Sequence, residues 1–183
     1  MGVGAHTREG VTKAVELRRH TDNDGDELTP DGVHTAFEIG ARLHGGYELL
    51  VSSGAQRSTQ TLACFLAALG ERVPGGVIVE PGLRSQTEGR WREIYAQTGK
   101  PDLESFRVAD PEFVVAEAER LGAALGRIFD TLSVNGRALA VGHSPTNEAA
   151  VFALTGQLVG PLAKGAGVLV VADGNTYRAK ALD

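Results

Sequence analysis

The sequence predicts an α/β protein, a three-layer α/β/α sandwich with a mostly parallel central sheet and an antiparallel edge. Short apolar segments of strand length alternate with amphipathic segments of helix length along most of the 183 residues, as βαβ units do. The helical segments carry helix punctuation: Thr29-Pro30 and Asp110-Pro111 at starts, Gly70 and Gly156 at ends. The last two apolar segments are joined by Asp173-Gly174-Asn175, a hairpin turn that puts antiparallel pairing at one edge.

Residues 1–12 read as a flexible tail, and 13–183 as one domain, long enough to bury a core of its own. Lys13–Leu17 is a first strand, followed by the polar loop Asp22-Asn23-Asp24-Gly25-Asp26. Thr29 caps a helix with Pro30 at its first position, and Val33, Phe37, Gly40 and Leu43 follow at helical spacing. Tyr47–Val51 is the second strand. A helix over about 55–69 places Leu62, Phe65, Leu66 and Leu69 on one face, and Val77–Val79 is a third strand. Residues 80–110 are polar and without clear periodicity, the pattern of an irregular cap over a site. A long helix from Asp110 repeats Val114, Ala118, Leu121, Leu125, Ile128 and Leu132 at intervals of three and four. Arg137–Val141 is the fourth strand, Pro145–Leu154 a helix, and Val168–Ala172 with Thr176–Ala181 the closing hairpin.

A formal charge of -5 argues against a general nucleic-acid binder and against attachment to an acidic membrane surface. No apolar run reaches membrane-spanning length and no signal-peptide core is visible, so the expected location is the cytoplasm. The single cysteine, Cys64, lies in a predicted helix and reads as a small buried apolar residue. No spacing of His, Asp and Glu suggests a metal cage, and no cofactor is implied. Asp22, Asp24 and Asp26 alternate as in a calcium loop but lack its terminal glutamate.

In sheets of this kind ligands bind beyond the carboxyl ends of the strands. Arg19 and His20 follow the first strand, Ser52 to Arg57 the second, and His143 the fourth. If those strands are neighbours, two imidazoles and two guanidiniums converge on one edge. Guanidinium forks hold phosphate oxygens by paired hydrogen bonds, and a neutral imidazole can attack phosphorus. The turn at His143-Ser144-Pro145-Thr146 opens a helix, whose free amides favour an anion, so Ser144 joins the candidate phosphate contacts.

These segments resemble the histidine phosphatase superfamily, the phosphoglycerate-mutase-like proteins, over about 14–156. Leu17-Arg18-Arg19-His20-Thr21 is similar to the family's Arg-His-Gly motif, Ser52-Ser53-Gly54-Ala55-Gln56-Arg57 to its second arginine segment, and Val141-Gly142-His143-Ser144-Pro145 to the segment of its second histidine. The resemblance implies a phospho-accepting His20, phosphate contacts from Arg19, Arg57 and His143, and no metal. Thr21 stands where the family has glycine. After Leu83-Arg84, Ser85 stands where many members carry a proton-donating glutamate. Glu88 is the first substitute and Glu80 the second, and a missing acid favours a phosphoramidate, a phosphoanhydride or an activated ester. Trp91, Tyr95 and Phe106 either line a substrate pocket or pack the cap, and Arg84 and Arg90 are surface residues or contacts for an acidic substrate. His34 and His44 read as surface positions in the first long helix.

The expected function is therefore a metal-independent phosphatase acting through phospho-His20 on a phosphorylated small molecule or a phosphoprotein. A phosphomutase and a catalytically inactive phosphate-binding module are the alternatives. The C-terminal hairpin leaves a pairing edge that would suit a homodimer.

Overall fold

The computed structural model describes residues 12–182. The expected tail lies outside them apart from Thr12, which already belongs to the first strand. The chain runs β1 (Thr12–Arg19), β2 (Asn23–Asp24), β3 (Glu27–Leu28), α1 (Pro30–Gly40), β4 (Leu49–Ser52), α2 (Gln56–Leu69) and β5 (Val77–Val79). After a 3-10 turn at Pro81–Leu83 come α3 (Glu88–Thr98), α4 (Leu103–Ala109), α5 (Pro111–Thr131), β6 (Arg137–Gly142), α6 (Thr146–Thr155), β7 (Gly167–Asp173) and β8 (Thr176–Leu182). Six strands form one sheet in the order β5-β4-β6-β1-β7-β8. The first four of that order are mutually parallel, and β7 and β8 close the other edge antiparallel.

Alternation along the central strands divides the interior between the two faces of the sheet. Leu50, Leu139 and Val141 pack with Ala36, Leu62 and Phe65 of α1 and α2. Leu49, Val51, Ala138 and Ala140 pack on the other side with Leu121, Leu125 and Ile128 of α5 and with Val151 of α6. Helices on both faces of a mostly parallel sheet make the expected three layers. The long helix is also as expected: Asp110 accepts from the Phe113 amide at 3.2 Å, and the predicted apolar stripe is buried. β1 carries a buried polar cluster, in which Glu16 accepts from Arg18 and from the Tyr47 hydroxyl, both at 2.6 Å.

Three local expectations are corrected. The polar loop after β1 folds into the β2–β3 hairpin, and its carboxylates are paired: Asp22 takes Lys164 and the Thr29 hydroxyl, and Asp26 takes Arg57. Helix α1 ends at Gly40, so His44 lies beyond it, and Val33 and Phe37 are exposed. Its buried face is Gly32, Ala36 and Gly40, small residues that let α1 approach the Asp22 backbone at Gly32 and α2 at Ala36 and Gly40. A Cβ on Gly40 would stand 2.8 Å from Ala68 Cβ and 2.9 Å from Phe65 Cα. The cap is not irregular, since it contains α3 and α4. Few apolar residues drive it, but Trp91, Ile94, Leu103 and Phe106 are all buried against the core, and Asp102 caps α4 through the Ser105 amide.

Candidate active site

Parallel register builds the site. Arg19 at the end of β1 pairs with Gly142 at the end of β6, and Ser52 at the end of β4 pairs with Val141. Backbone bonds carry the register past the strands, from the His20 amide to Gly142 (3.0 Å) and from the Ser53 amide to Val141 (3.1 Å). Asn147 then clamps the two strand ends. Its carbonyl oxygen accepts from the His143 amide at 3.2 Å, and its amide donates to the Arg18 carbonyl at 3.1 Å. Gly142 is needed because any Cβ there would collide with that Asn147 oxygen. The result places the rings of His20 and His143 edge to face, 5.2 Å between centroids.

Their partners fix the tautomers. His20 Nδ1 lies 2.8 Å from the Thr21 carbonyl, which can only accept, so Nδ1 carries the proton. Its Nε2 therefore presents a lone pair, which accepts from Arg57 Nε at 3.3 Å. His143 is the reverse. Its Nδ1 accepts from Arg57 Nη2 at 3.2 Å, and its Nε2–H donates to the Ser53 hydroxyl at 2.8 Å. Burial lowers the His20 pKa to about 4, opposed by the Thr21 bond and helped by Arg57, Arg19 and Lys164. Burial and Arg57 push His143 down further still, so both imidazoles are neutral near pH 7. Neutral His143 thus turns a lone pair at Nδ1 toward the clamp, and a phosphate dianion beside it would favour its charged form, whose Nδ1–H can donate to a phosphate oxygen.

Arg57, at the start of α2, is the hub of the site. Besides both histidines it donates to Asp26 at 2.6 Å, and its Nη2 stands 3.6 Å from Glu88. Arg19 donates to the Leu162 carbonyl at 2.7 Å, and its buried Nε has no acceptor among the described residues. Ser144 lines the pocket but its hydroxyl donates to the buried Glu148, which also accepts from the Leu162 amide at 2.8 Å. Thr21 does not obstruct the phosphate site, because its side chain packs on Thr61, 3.3 Å between hydroxyl oxygens.

The residues of the clamp form the floor of a cavity of about 720 Å³, with Trp91, Tyr95, Pro101, Phe106 and Pro145 on its walls. Trp91 and Phe106 do both jobs weighed for them: they pack together in the core, centroids 5.7 Å apart, and also face the cavity. Ser85 lines it in the expected glutamate position. Its hydroxyl donates to Glu117 at 2.5 Å, and Glu117 also accepts from Arg120 and from the Trp91 indole. Burial raises the Glu117 pKa, but those bonds outweigh it and hold the carboxyl below its ordinary range. Among the described residues lining the cavity Glu88 is the one carboxyl group, and it accepts from Arg84 at 2.6 Å. Glu80 is excluded as the acid, because it caps the 3-10 turn and pairs with Arg127 at 2.8 Å, away from the cavity. Arg84 and Arg90 are both tied to carboxylates, Arg84 to Glu88 and Arg90 to Asp110 and Glu93.

Sequence reasoning missed Asp26, Glu117, Asn147, Glu148, Arg92 and Lys164. Glu117 did carry a signal: it falls three residues after Val114 and four before Leu121, on the buried stripe of α5. Asp26 was weighed only for calcium, and nothing local marks it as the partner of a residue on α2.

Two guanidiniums and two neutral imidazoles converging at the carboxyl edge of a parallel sheet define a histidine-based phosphoryl site. Residues 7–164 match the family model described as the histidine phosphatase superfamily (branch 1), and the chain belongs to that superfamily. Among solved structures it is similar in fold to a phosphoglycerate mutase from Bacillus anthracis (TM-score 0.68, 15% identity, covering 94% of this chain and 93% of that one). A putative alpha-ribazole-5'-P phosphatase from Escherichia coli gives a TM-score of 0.67 at 17% identity, covering 93% and 96%. The putative phosphohistidine phosphatase SixA from Agrobacterium tumefaciens gives 0.53 at 18%, covering 93% and 97%. A comparison with curated protein sequences found no match. Among the described residues no helix is long and apolar enough to cross a membrane.

Proposed function

We propose that this protein is a metal-independent phosphatase for a small phosphorylated molecule. The observation that carries the reading is the orientation of His20: Nδ1 is tied to the Thr21 carbonyl, so the Nε2 lone pair points at the clamp formed by Arg57 and His143. Nε2 attacks phosphorus, the P–O bond to the leaving group breaks, and the phosphoryl group rests on His20. Arg19, Arg57 and His143 hold the three spreading oxygens. Glu88, the carboxyl group on the cavity wall, relays to the leaving oxygen a proton brought in on the substrate phosphate monoanion, and then takes one from the water that attacks phospho-His20. The cap favours a small molecule over a protein side chain, because α3 and α4 wall the floor into a cavity of ligand size.

The test is phosphate release from a panel of alkyl, aryl and anhydride phosphates and a phosphohistidine peptide, by wild type, His20→Ala and Glu88→Gln. Loss of all release in His20→Ala, with inorganic phosphate still bound, is expected. Glu88→Gln should lose roughly 10²- to 10³-fold on alkyl esters and far less on nitrophenyl phosphate, whose leaving group needs no proton. Transfer between hydroxyls without net release would make the protein a mutase, and binding without any turnover a recognition module.

A further inference from the structure

Helix α3 presents one stripe to the cavity. Glu88, Trp91, Arg92 and Tyr95, at intervals of three and four, lie on one helical face and all line the same space. The stripe has a direction, because Glu88 stands 3.6 Å from Arg57 and so marks the phosphate end. With a rise of about 1.5 Å per residue, Arg92 lies ~6 Å and Tyr95 ~10 Å further along the axis. Between them the wall is aromatic.

Charge singles out Arg92 from its neighbours. Arg84 and Arg90 in the cap are paired with carboxylates, and Arg107 lies 4.4 Å over the Phe152 ring. Lys164, across the cavity, is held by Asp22 and Asn23. Arg92 makes one long bond, 3.4 Å, to the Glu88 carbonyl, and no carboxylate among the described residues pairs with it. A guanidinium so placed, folded back one turn along α3, offers its free fork to a planar anion on the cavity wall beyond the phosphate.

Resting on the phosphatase reading, we infer that Arg92 and Tyr95 form a second subsite, for an anionic group carried by the leaving group. The substrate is then a phosphomonoester with a flat or apolar middle, resting on Trp91 and Phe106, and a carboxylate or similar anion carried beyond that middle on the leaving group. Esters as short as glycerol phosphate would leave this subsite unused.

Three esters of one shape test it: phenyl phosphate, 4-(carboxymethyl)phenyl phosphate and its neutral carboxamide. Wild type should favour the carboxylate over the carboxamide by about tenfold in kcat/KM, the range of one charge-assisted pairing. Arg92→Met should bring that ratio close to one and Arg92→Glu should invert it, while Arg90→Met, off the cavity, should leave it at the wild-type value. The same ratio read as Kd by calorimetry in His20→Ala reports the subsite without turnover, so a failed phosphatase reading would not hide it. Equal handling of the two esters by wild type, or a preference that survives Arg92→Met, overturns the subsite.

Discussion

The proton affinity of His20 is the property on which the chemistry turns, and lowering the pH perturbs it directly. An ordinary imidazole, with a pKa near 6.5, would be only about one-tenth neutral at pH 5.5. With its pKa lowered to about 4 by burial, His20 stays almost wholly neutral there and keeps its nucleophilic lone pair. Once the ionisation of the substrate phosphate is allowed for, kcat/KM should carry no acid limb near pH 6.5. The same shift has a stability cost of definite sign. Between pH 6.5 and about 4 the unfolded chain binds a proton that folded His20 refuses, so stability falls as pH falls through that window. At pH 5 the loss relative to pH 7 is about 2 kcal/mol for His20, and the still lower His143 adds a similar amount. Glu148, raised by burial, works in the opposite direction, so the share of His20 is best read as a difference between proteins. Urea unfolding of wild type and His20→Asn at pH 7, 6 and 5 measures it, and nitrogen-15 shifts of the imidazole give the site directly. A His20 resonance titrating near 6.5, or identical pH slopes in the two proteins, would refute the reasoning.

Asp26→Asn should separate aim from affinity. The substitution removes the carboxylate that fixes Arg57 Nη1 at 2.6 Å and frees guanidinium charge for phosphate, so inorganic phosphate should bind as well or better while kcat drops about tenfold. Steady-state kinetics with a phosphate titration decides it, and a loss confined to KM would mean that Asp26 only holds the hairpin. Gly40→Val should wedge α1 from α2 and destabilise the fold by about 1–3 kcal/mol, with a Tm lower by roughly 4–10 °C and kcat unchanged. An unaltered melting curve would show that the two helices can slide apart freely.

The sheet and the four convergent groups were legible because the signals were local. Apolar runs mark β1, β4 and β6, and His20, Arg57 and His143 come just after them, where a parallel sheet gathers its strand ends. The face of α1 was misread for a physical reason. Its buried face is Gly32 against the Asp22 backbone and Ala36 and Gly40 against α2, residues that carry little hydropathy but permit close approach, whereas Val33 and Phe37 carry much and face outward. The cap helices were hidden by composition, since α3 buries only Trp91 and Ile94 among charged neighbours. Thr12 to Arg19 form a longer strand than Lys13–Leu17 because pairing with β6 and β7 extends it through polar residues. The Asp26–Arg57 ion pair and the Ser85–Glu117 hydrogen bond link segments about thirty residues apart, and no local pattern encodes such meetings.

The pairing of β1 with β6 also bears on how the molecule comes to exist. The amide of Thr12 bonds to Asn135 across 123 residues of chain, and the same ladder ends with His20 beside Gly142. Parallel strands so far apart close a very large loop before any contact rewards them, which is characteristic of slow, high-contact-order folding. A chain emerging from the ribosome could hold β1, β4 and their helices and still lack the strand that lies between them. Competence for phosphoryl transfer should therefore arrive late and all at once, when β6 inserts between β4 and β1. Recovery of activity during refolding would then serve as a clock for sheet completion.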